Sequence, residues 1–179
     1  MLSKISPSIL GIKDVKDFIK RLDKLKQKKL EVSDIHVDVM DGVFVKNRLD
    51  LNTNIMTELL YSGYKTEVHL MVAEETIEIE IMKAIRYGAK KIWVHVELEN
   101  AERYLNIINE LNDKAGEKSV AIGLCINPDT NLEKLELLKD KVDSILVMSV
   151  YPGKGGQKFM NSSYKKIQEI RKAIPNAEI

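Results

Sequence analysis

Short hydrophobic runs rich in β-branched residues recur along this chain at a nearly even interval, and this repeat constrains the fold more than any other feature. Each run is short and dominated by Ile, Val and Leu, which is typical of a buried strand. Successive runs begin 24 to 32 residues apart, which leaves room for one helix between consecutive strands. The six runs span Lys4 to Leu10, Asp34 to Met40, Thr66 to Val72, Lys91 to Val96, Ser119 to Ile126 and Asp143 to Val150.

The segments between the runs have apolar residues at three- and four-residue spacing, which predicts amphipathic helices. Strands that alternate with helices run parallel and are joined by right-handed crossovers. An open doubly wound sheet and a closed (β/α)₈ barrel both have this pattern, and the even spacing favours the barrel. The three clearest apolar stripes are Val15, Phe18, Ile19, Leu22 and Leu25; Tyr104, Ile107, Ile108 and Leu111; and Ile167, Ile170 and Ile174.

The length of the chain bears on how much of a barrel it can form. Eight units at this spacing need about 226 residues, whereas the sequence has 179 residues and six strand-forming runs. A barrel that stops at this point would expose the edges of its sheet. We therefore expect an α/β fold of the (β/α)₈ TIM barrel type, one domain over residues 1–179, with the last one to two βα units missing from this sequence. An open sheet is the alternative.

Charge and composition narrow the classes of function. The 28 Lys and Arg residues nearly balance the 27 Asp and Glu residues, so the formal net charge is +1 and a strong electrostatic footprint for nucleic acid or anionic membrane is excluded. The single cysteine, Cys125, cannot form an internal disulfide and fits a reducing compartment. The hydrophobic stretches are far shorter than the ~20 residues that span a bilayer. We expect a cytoplasmic protein without nucleic-acid or membrane partners.

The second run has a polar face. Side chains alternate along a strand, which places Asp34, His36, Asp38 and Met40 opposite the β-branched residues. A buried parallel strand is normally hydrophobic on both faces. The polar face is therefore either a hydrogen-bonded cluster or a metal site, because an imidazole and a carboxylate two residues apart can bind the same divalent ion. This strand alone does not decide between the two.

The third run favours the metal interpretation. Glu67, His69 and Met71 share one face, and His69 lies near the C-terminal end of its strand, as His36 and Asp38 do on theirs. Sites in parallel α/β folds form at that end. Adjacent strands lie about 4.8 Å apart, so His69 comes within reach of the other two. Two histidines and one aspartate make a metal site with at least one open position.

A glycine-rich loop follows the sixth run and contains Gly153, Lys154, Gly155 and Gly156. The backbone N–H groups of such a loop can bind a phosphate. A glycine-rich loop considered by itself is more often a flexible turn. Its position at the C-terminal end of a strand, like that of the other candidates, favours phosphate binding.

Taken together, five sequence blocks resemble the ribulose-phosphate 3-epimerase family and occur in that family's order. The blocks are Ser6 to Leu10, His36 to Val45, Val68 to Val72, Asn127 to Thr130 and Met148 to Phe159. The resemblance implies a (β/α)₈ barrel, a divalent metal ion (Zn, Fe, Mn or Co) and a small ketose phosphate as substrate. The implied reaction is the interconversion of D-ribulose 5-phosphate and D-xylulose 5-phosphate, a step of the pentose phosphate pathway, by proton abstraction at carbon 3.

The resemblance also implies roles for individual residues. His36, Asp38 and His69 correspond to metal ligands, Asp38 also corresponds to the catalytic base, and Ser8 and His69 correspond to substrate contacts. By themselves the methionines of this chain are more typical of core packing. The phosphate loop corresponds to Gly153, Lys154, Gly155 and Gly156, and the apolar lining of the active site to Met40, Met71 and Met148.

The sequence departs from the family pattern at several positions, two of which bear on the reaction and the phosphate. The family's second acid/base is an aspartate in an Asp-Gly-Gly block, which we expect after Ile179. Lys154 stands where the family usually has Phe. Two rival functions therefore stay open: a hexulose-phosphate 3-epimerase acting on allulose 6-phosphate, and a non-catalytic phosphosugar-binding barrel. A homo-oligomer also stays open.

Two further residues with reactive side chains, His95 and Cys125, are expected to have structural rather than catalytic roles. His95 lies near Glu97, and we expect a hydrogen-bonded core histidine rather than a substrate contact. Cys125 lies inside a hydrophobic run, and we expect a small buried hydrophobe.

Overall fold

The computed structural model describes residues 5–27, 32, 34–116 and 119–179. Among these residues, a helix separates each of the five longer strands from the next, and a short 3₁₀ turn, Lys139–Lys141, follows the fifth helix. The strands are β1 (Asp34–Asp41), β2 (Arg48–Leu49), β3 (Lys65–Met71), β4 (Lys91–His95), β5 (Ala121–Ile126) and β6 (Ser144–Val147). The helices are α1 (Val15–Gln27), α2 (Thr53–Tyr61), α3 (Ile77–Arg86), α4 (Ala101–Ala115), α5 (Glu133–Leu138) and α6 (Ser162–Ala173).

The strands form one sheet in the order β2-β1-β3-β4-β5-β6. All neighbouring pairs are parallel except β1 and the two-residue β2. Successive long strands are therefore neighbours, and the sheet grows in one direction from β1 to β6. A doubly wound sheet would reverse its strand order part of the way along. The alternating βα units and this order agree with the TIM barrel architecture predicted from the sequence.

The first hydrophobic run does not form a continuous strand, which corrects the expectation for Lys4 to Leu10. Lys4 itself lies outside the described residues. The remainder of the run makes isolated parallel bridges, one of which pairs Ser8 with His36. Pro7 has no N–H group to extend the ladder. The bridge nevertheless places the chain around Ser8 beside β1, which brings this residue to the site described below.

The hydrophobic core lies between the outer face of the sheet and the helices. The β-branched face predicted for the second run lies there together with the apolar face of the third run, and the side chains on both are almost completely buried. Burial of each such side chain contributes about 1.5–3 kcal/mol to folding. The opposite face of the same strands, which in a barrel is the interior, carries the polar candidates. The core residues on these two strands are Ile35, Val37, Val39, Val68 and Leu70.

Local sequence sets several helix ends. The Asn52 side chain caps α2 by accepting hydrogen bonds from the N–H groups of Asn54 and Ile55. Helix α4, which has 15 residues, ends at Gly116, whose φ of 74° lies in the left-handed region that glycine tolerates. Within the described part of the chain, no helix is both long and apolar enough to cross a membrane.

Candidate active site

The register of β1 against β3 aligns the polar side chains of the two strands. Asp38 lies opposite His69, and His36 lies opposite Glu67. Because side chains alternate along each strand, all four project from the interior face of the sheet. The predicted metal ligands therefore come from adjacent positions on neighbouring strands, with Asp38 fifth in β1 and His69 fifth in β3. His36 is the third of the eight residues of β1, which corrects the expectation that it lies near the C-terminal end of its strand.

The three predicted ligands converge on one point. Oδ1 of Asp38 lies 3.2 Å from Nε2 of His36 and 3.1 Å from Nδ1 of His69. One ligand atom from each residue lies within 4.8 Å of the others. Asp38 and His69 are buried, and His36 is nearly so. The second oxygen of Asp38, Oδ2, accepts a hydrogen bond of 3.2 Å from the Ser8 hydroxyl.

The outer nitrogen of each histidine ligand has its own partner. Nδ1 of His36 lies 2.7 Å from Oε1 of Glu67. Nε2 of His69 lies 2.8 Å from Nε2 of His95, and Nδ1 of His95 lies 2.8 Å from Oε2 of Glu97. His95 is completely buried, so it is the hydrogen-bonded core histidine expected from the sequence. Both imidazole ligands are thus held on the side away from Asp38.

The number of protons in this network fits a cation between the three side chains. Asp38, His69, His95 and Glu97 are joined by three contacts in series. The two carboxylates only accept hydrogen bonds, and two neutral imidazoles bring only two N–H groups. One contact therefore lacks a proton unless an additional positive charge is present. A metal ion would supply that charge, and a donor set of two imidazoles and one carboxylate suits Zn, Fe, Mn or Co.

The pKa values of the three residues reflect burial and their mutual contacts. Burial lowers the pKa of His69 to about 4 and outweighs its contact with Asp38, so this ring is neutral near pH 7. Burial also lowers the pKa of His36, but hydrogen bonds to Asp38 and Glu67 outweigh this and raise it to about 9. Burial raises the pKa of Asp38, yet hydrogen bonds from both histidines hold it well below its usual range. Metal binding would therefore release a proton from His36.

One cavity of about 270 Å³ contains nearly all the residues predicted to form the site. Met40 and Met71 are almost completely buried and pack with Val45, so this part of the wall is apolar. Gly156 is not among the lining residues. The predicted residues that line the cavity are Ser8, His36, Asp38, Met40, His69, Met71, Met148, Gly153, Lys154 and Gly155.

The glycine loop is held against the loop that follows β1. Gly153 has a φ of 107°, and a Cβ atom at this position would lie 2.9 Å from Cβ of Val45. The Asn47 side chain donates a hydrogen bond of 2.6 Å to the Gly153 carbonyl. Only glycine satisfies both the backbone angle and the close approach. Lys154 is exposed at the mouth of the cavity.

Asp41, at the end of β1, organises the same mouth, and sequence reasoning gave it no role. Its Oδ1 accepts hydrogen bonds from the N–H groups of Val43 and Phe44, at 2.8 and 2.9 Å. Its Oδ2 accepts from the N–H group of Ala73 at 2.6 Å and from the Thr76 hydroxyl at 3.2 Å. One carboxylate therefore ties the loop after β1 to the loop after β3.

The contact of Glu67 was also missed at the level of sequence, whereas Glu97 was noted beside His95. Glu67 is two residues before His69, and Glu97 is two residues after His95. A carboxylate two residues from a histidine on the same strand face is a weak signal of such pairing. The partner of Glu67 is, however, His36 on the adjacent strand, and that pairing depends on the register of β1 against β3.

A second group of possible metal ligands lies deeper and consists of His69, His95 and Cys125. The two Nε2 atoms are 2.8 Å apart, which is the distance of a hydrogen bond between them. Burial raises the pKa of the Cys125 thiol and keeps it protonated. These features favour a hydrogen-bonded cluster at this position, and Cys125 is the buried small residue expected from the sequence.

A family model described as the ribulose-phosphate 3 epimerase family matches residues 4–179. The chloroplastic ribulose-5-phosphate-3-epimerase of Arabidopsis thaliana is 38% identical over 173 residues, which cover 94% of this chain and 57% of that protein. The ribulose-phosphate 3-epimerase of Escherichia coli K12 is 36% identical over 143 residues, covering 78% of this chain and 59% of that protein. The chain thus spans less than two thirds of the length of either relative.

Among solved structures, the spore cortex-lytic enzyme SleL of Bacillus cereus matches with a TM-score of 0.52. The match covers 98% of this chain and 47% of that chain, at 11% sequence identity. At this identity the likeness concerns the fold alone.

Proposed function

We propose, since this chain belongs to the ribulose-phosphate 3-epimerase family, that it carries out the metal-dependent interconversion of D-ribulose 5-phosphate and D-xylulose 5-phosphate. The observation that carries this proposal is the convergence of His36, Asp38 and His69 in one cavity with the glycine loop. The named relatives are epimerases of this substrate, and the chain covers about 57% of the Arabidopsis protein. We further propose one barrel domain over residues 1–179 and a cytoplasmic location.

The proposed cofactor is one divalent ion, Zn, Fe, Mn or Co, held by Nε2 of His36, Nδ1 of His69 and the Asp38 carboxylate. When bound, the ion would supply electrostatic stabilisation for the negative charge that develops on the ketose oxygens as the carbon 3 proton leaves. Glu67 and His95 hold the two imidazoles from behind. The ligand rings are therefore oriented before any substrate arrives.

Asp38 is the proposed general base. Its carboxylate is ionised, lines the cavity and is oriented by the Ser8 hydroxyl. The proton on carbon 3 is adjacent to a carbonyl group and is only weakly acidic, so a positioned base contributes about 10²–10⁴-fold to the rate. Inversion also requires a proton donor on the opposite face of carbon 3. The family resemblance assigns that donor to an aspartate in an Asp-Gly-Gly block, which residues 1–179 do not contain.

The remaining lining residues are proposed to bind the substrate. Met40, Met71 and Met148 offer an apolar surface without competing proton donors beside the reacting carbon. The glycine loop offers backbone N–H groups to the phosphate. Lys154 is placed to add a charge-assisted contact to the same phosphate.

The test is an assay of the protein encoded by the intact gene with Zn²⁺, Fe²⁺, Mn²⁺ and Co²⁺. We expect turnover of ribulose 5-phosphate and incorporation of solvent deuterium at carbon 3. Faster turnover of allulose 6-phosphate would instead identify a hexulose-phosphate 3-epimerase. Binding of the ketose phosphate without deuterium incorporation would identify a non-catalytic barrel, and absence of turnover with all four metals would contradict the proposal.

A further inference from the structure

We infer that Glu97, acting through His95, is a positioning residue that selects the metal-binding tautomer of His69. The inference rests on the proposed metal site, because it concerns how one of its ligands is prepared. It gives a role to His95, which is buried, and to the partly buried Glu97, neither of which contacts the substrate in the proposed reaction. His95 is completely buried and His69 is 2% exposed.

The contacts form a series from the turn after β4 to the metal site, and the Thr130 side chain also hydrogen-bonds Glu97. Oε2 of Glu97 lies 2.8 Å from Nδ1 of His95. Nε2 of His95 lies 2.8 Å from Nε2 of His69, and Nδ1 of His69 faces Asp38 at 3.1 Å. The rings of His69 and His95 lie nearly parallel, with an interplanar angle of 25°. The ring of Phe44 covers His95, at 4.7 Å between centroids.

The carboxylate at one end determines where each proton lies. An ionised Glu97 can only accept, so the proton of a neutral His95 is on Nδ1 and its Nε2 is an acceptor. His69 must then donate from its own Nε2. A neutral His69 that carries its proton on Nε2 has a free lone pair on Nδ1, which is the atom that faces Asp38. The opposite tautomer of either ring would place a proton on Nδ1 of His69 and block ligation.

A fixed backbone group orients Glu97. The N–H group of Asn127 donates a hydrogen bond of 2.9 Å to Oε1 of Glu97, which leaves Oε2 for His95. In the variant Glu97→Gln, the single amide oxygen would accept the hydrogen bond from the Asn127 N–H group, so the NH₂ group would face His95. An NH₂ donor there would force the proton of His95 to Nε2 and reverse both tautomers.

The first experiment uses the unmodified protein with Zn²⁺ as the probe. The chain has three histidines, so ¹⁵N-histidine labelling and long-range ¹H–¹⁵N correlation NMR can assign the tautomer of each ring. We expect His95 to carry its proton on Nδ1 and His69 on Nε2. A proton on Nε2 of His95, with or without one on Nδ1, would overturn the inference.

The second experiment compares Glu97→Gln with Glu99→Gln, which removes the same charge from an exposed position two residues further along. Zn²⁺ affinity is measured by competition with a chelator, and thermal unfolding of the metal-free proteins checks folding. Loss of such an outer partner typically costs about 10–100-fold in metal affinity, and we expect that loss for Glu97→Gln together with a proton on Nε2 of His95. We expect less than about a twofold change for Glu99→Gln.

The outcomes separate the inference from the proposed function. If the unmodified protein binds no Zn²⁺, the metal site is refuted and the inference falls with it. If it binds Zn²⁺ but Glu97→Gln binds equally well, only the inference is refuted. The same holds if the Co²⁺ complex shows a thiolate-to-metal charge-transfer band, because Cys125 would then be a ligand and His95 would bind the ion directly.

Discussion

At the scale of single residues, Asp38 is the side chain on which the contacts of the site converge. Its Oδ2 accepts a hydrogen bond from Ser8, and its Oδ1 contacts ring nitrogens of His36 and His69. Burial opposes ionisation of this carboxyl group, and the contacts with the histidines restore it. Asp38 therefore has the two properties that a metal-bound base requires, a negative charge and a fixed orientation.

The substitution Asp38→Asn tests this role. The amide keeps the shape of the side chain but cannot accept a proton, so we expect turnover to fall by about 10²–10⁴-fold. Asp34→Asn is the matched control, since Asp34 lies on the same face of β1 at the start of the strand and does not line the cavity. Turnover of Asp38→Asn within a few-fold of the unmodified enzyme would exclude Asp38 as the base.

Lys154 is the charged residue of the glycine loop and lines the cavity. Lys154→Met keeps the apolar stem of the side chain and removes its charge, and we expect the KM for the ketose phosphate to rise several-fold, with weaker binding of inorganic phosphate. Lys158→Met, also exposed but outside the cavity lining, is the control. Equal KM values for the two variants would indicate that Lys154 points to solvent.

Individual residues of the site differ in how far sequence could predict them. His36, Asp38 and His69 were predictable, because a polar face on a strand that should be buried requires an explanation. The pairing of Glu67 with His36 and of His69 with His95 was not, because each depends on how one strand is aligned with the next. A hydrogen-bonded His95 near Glu97 was expected, since these two residues are close in sequence. Alternation within a strand indicates which face a side chain occupies, but it does not determine which residue of the neighbouring strand lies beside it.

At the scale of elements, two loops at the C-terminal ends of β1 and β3 are joined by Asp41. Burial raises the pKa of Asp41, but four hydrogen bonds to the ionised carboxylate outweigh this and lower it. Because the folded-state pKa lies below the unfolded value, the stabilisation is present above the unfolded pKa of about 3.9. It is lost as the pH falls through the folded pKa.

The substitution Asp41→Asn should therefore lower the free energy of unfolding by about 2 kcal/mol at pH 7, the size typical of hydrogen bonds to a charged group. The difference from the unmodified protein should shrink as the pH falls below about 4. Urea denaturation at pH 7 and at pH 3 measures both effects. The control is Asp50→Asn, whose ion pair with Arg48 is largely exposed and contributes little. A difference that does not depend on pH would contradict the role of the carboxylate charge.

The glycine loop depends on close packing at Gly153. Gly153→Ala combines a positive φ with a contact of 2.9 Å to Val45, so we expect a shifted loop and a several-fold higher KM for the ketose phosphate. Gly116→Ala has a similar positive φ but no atom within 4 Å of the added Cβ. Its cost should be limited to backbone strain of about 1–2 kcal/mol, without a change in KM. An unchanged KM for Gly153→Ala would show that the loop tolerates the shift.

Most elements could be predicted from sequence, and the exceptions have physical reasons. The runs that became β1, β3, β4, β5 and β6 are short and hydrophobic because both faces of a parallel sheet are covered. The first run does not form a continuous strand because Pro7 has no backbone N–H group to donate to the neighbouring strand. The antiparallel β2 has only two exposed residues, which leave no hydrophobic pattern to detect.

At the scale of the whole molecule, metal binding and folding should be coupled, since the three proposed ligands come from two different strands. Zn²⁺ at 100 times its Kd should raise the free energy of unfolding by about 2.7 kcal/mol, and a chelator should reverse this. His36→Asn should abolish the gain, whereas Cys125→Ala, which affects only the deeper group of possible ligands, should retain it. If thermal denaturation showed instead that His36→Asn keeps the gain and Cys125→Ala loses it, the ion would lie at the deeper group.

The most direct test of the metal site is anomalous X-ray diffraction at the zinc absorption edge, from crystals grown with Zn²⁺. We expect one strong peak in contact with Nε2 of His36, Nδ1 of His69 and the carboxylate of Asp38. A peak that is bound instead by His69, His95 and Cys125, or one that lies away from His36 and Asp38, would contradict the site and the reaction proposed for it.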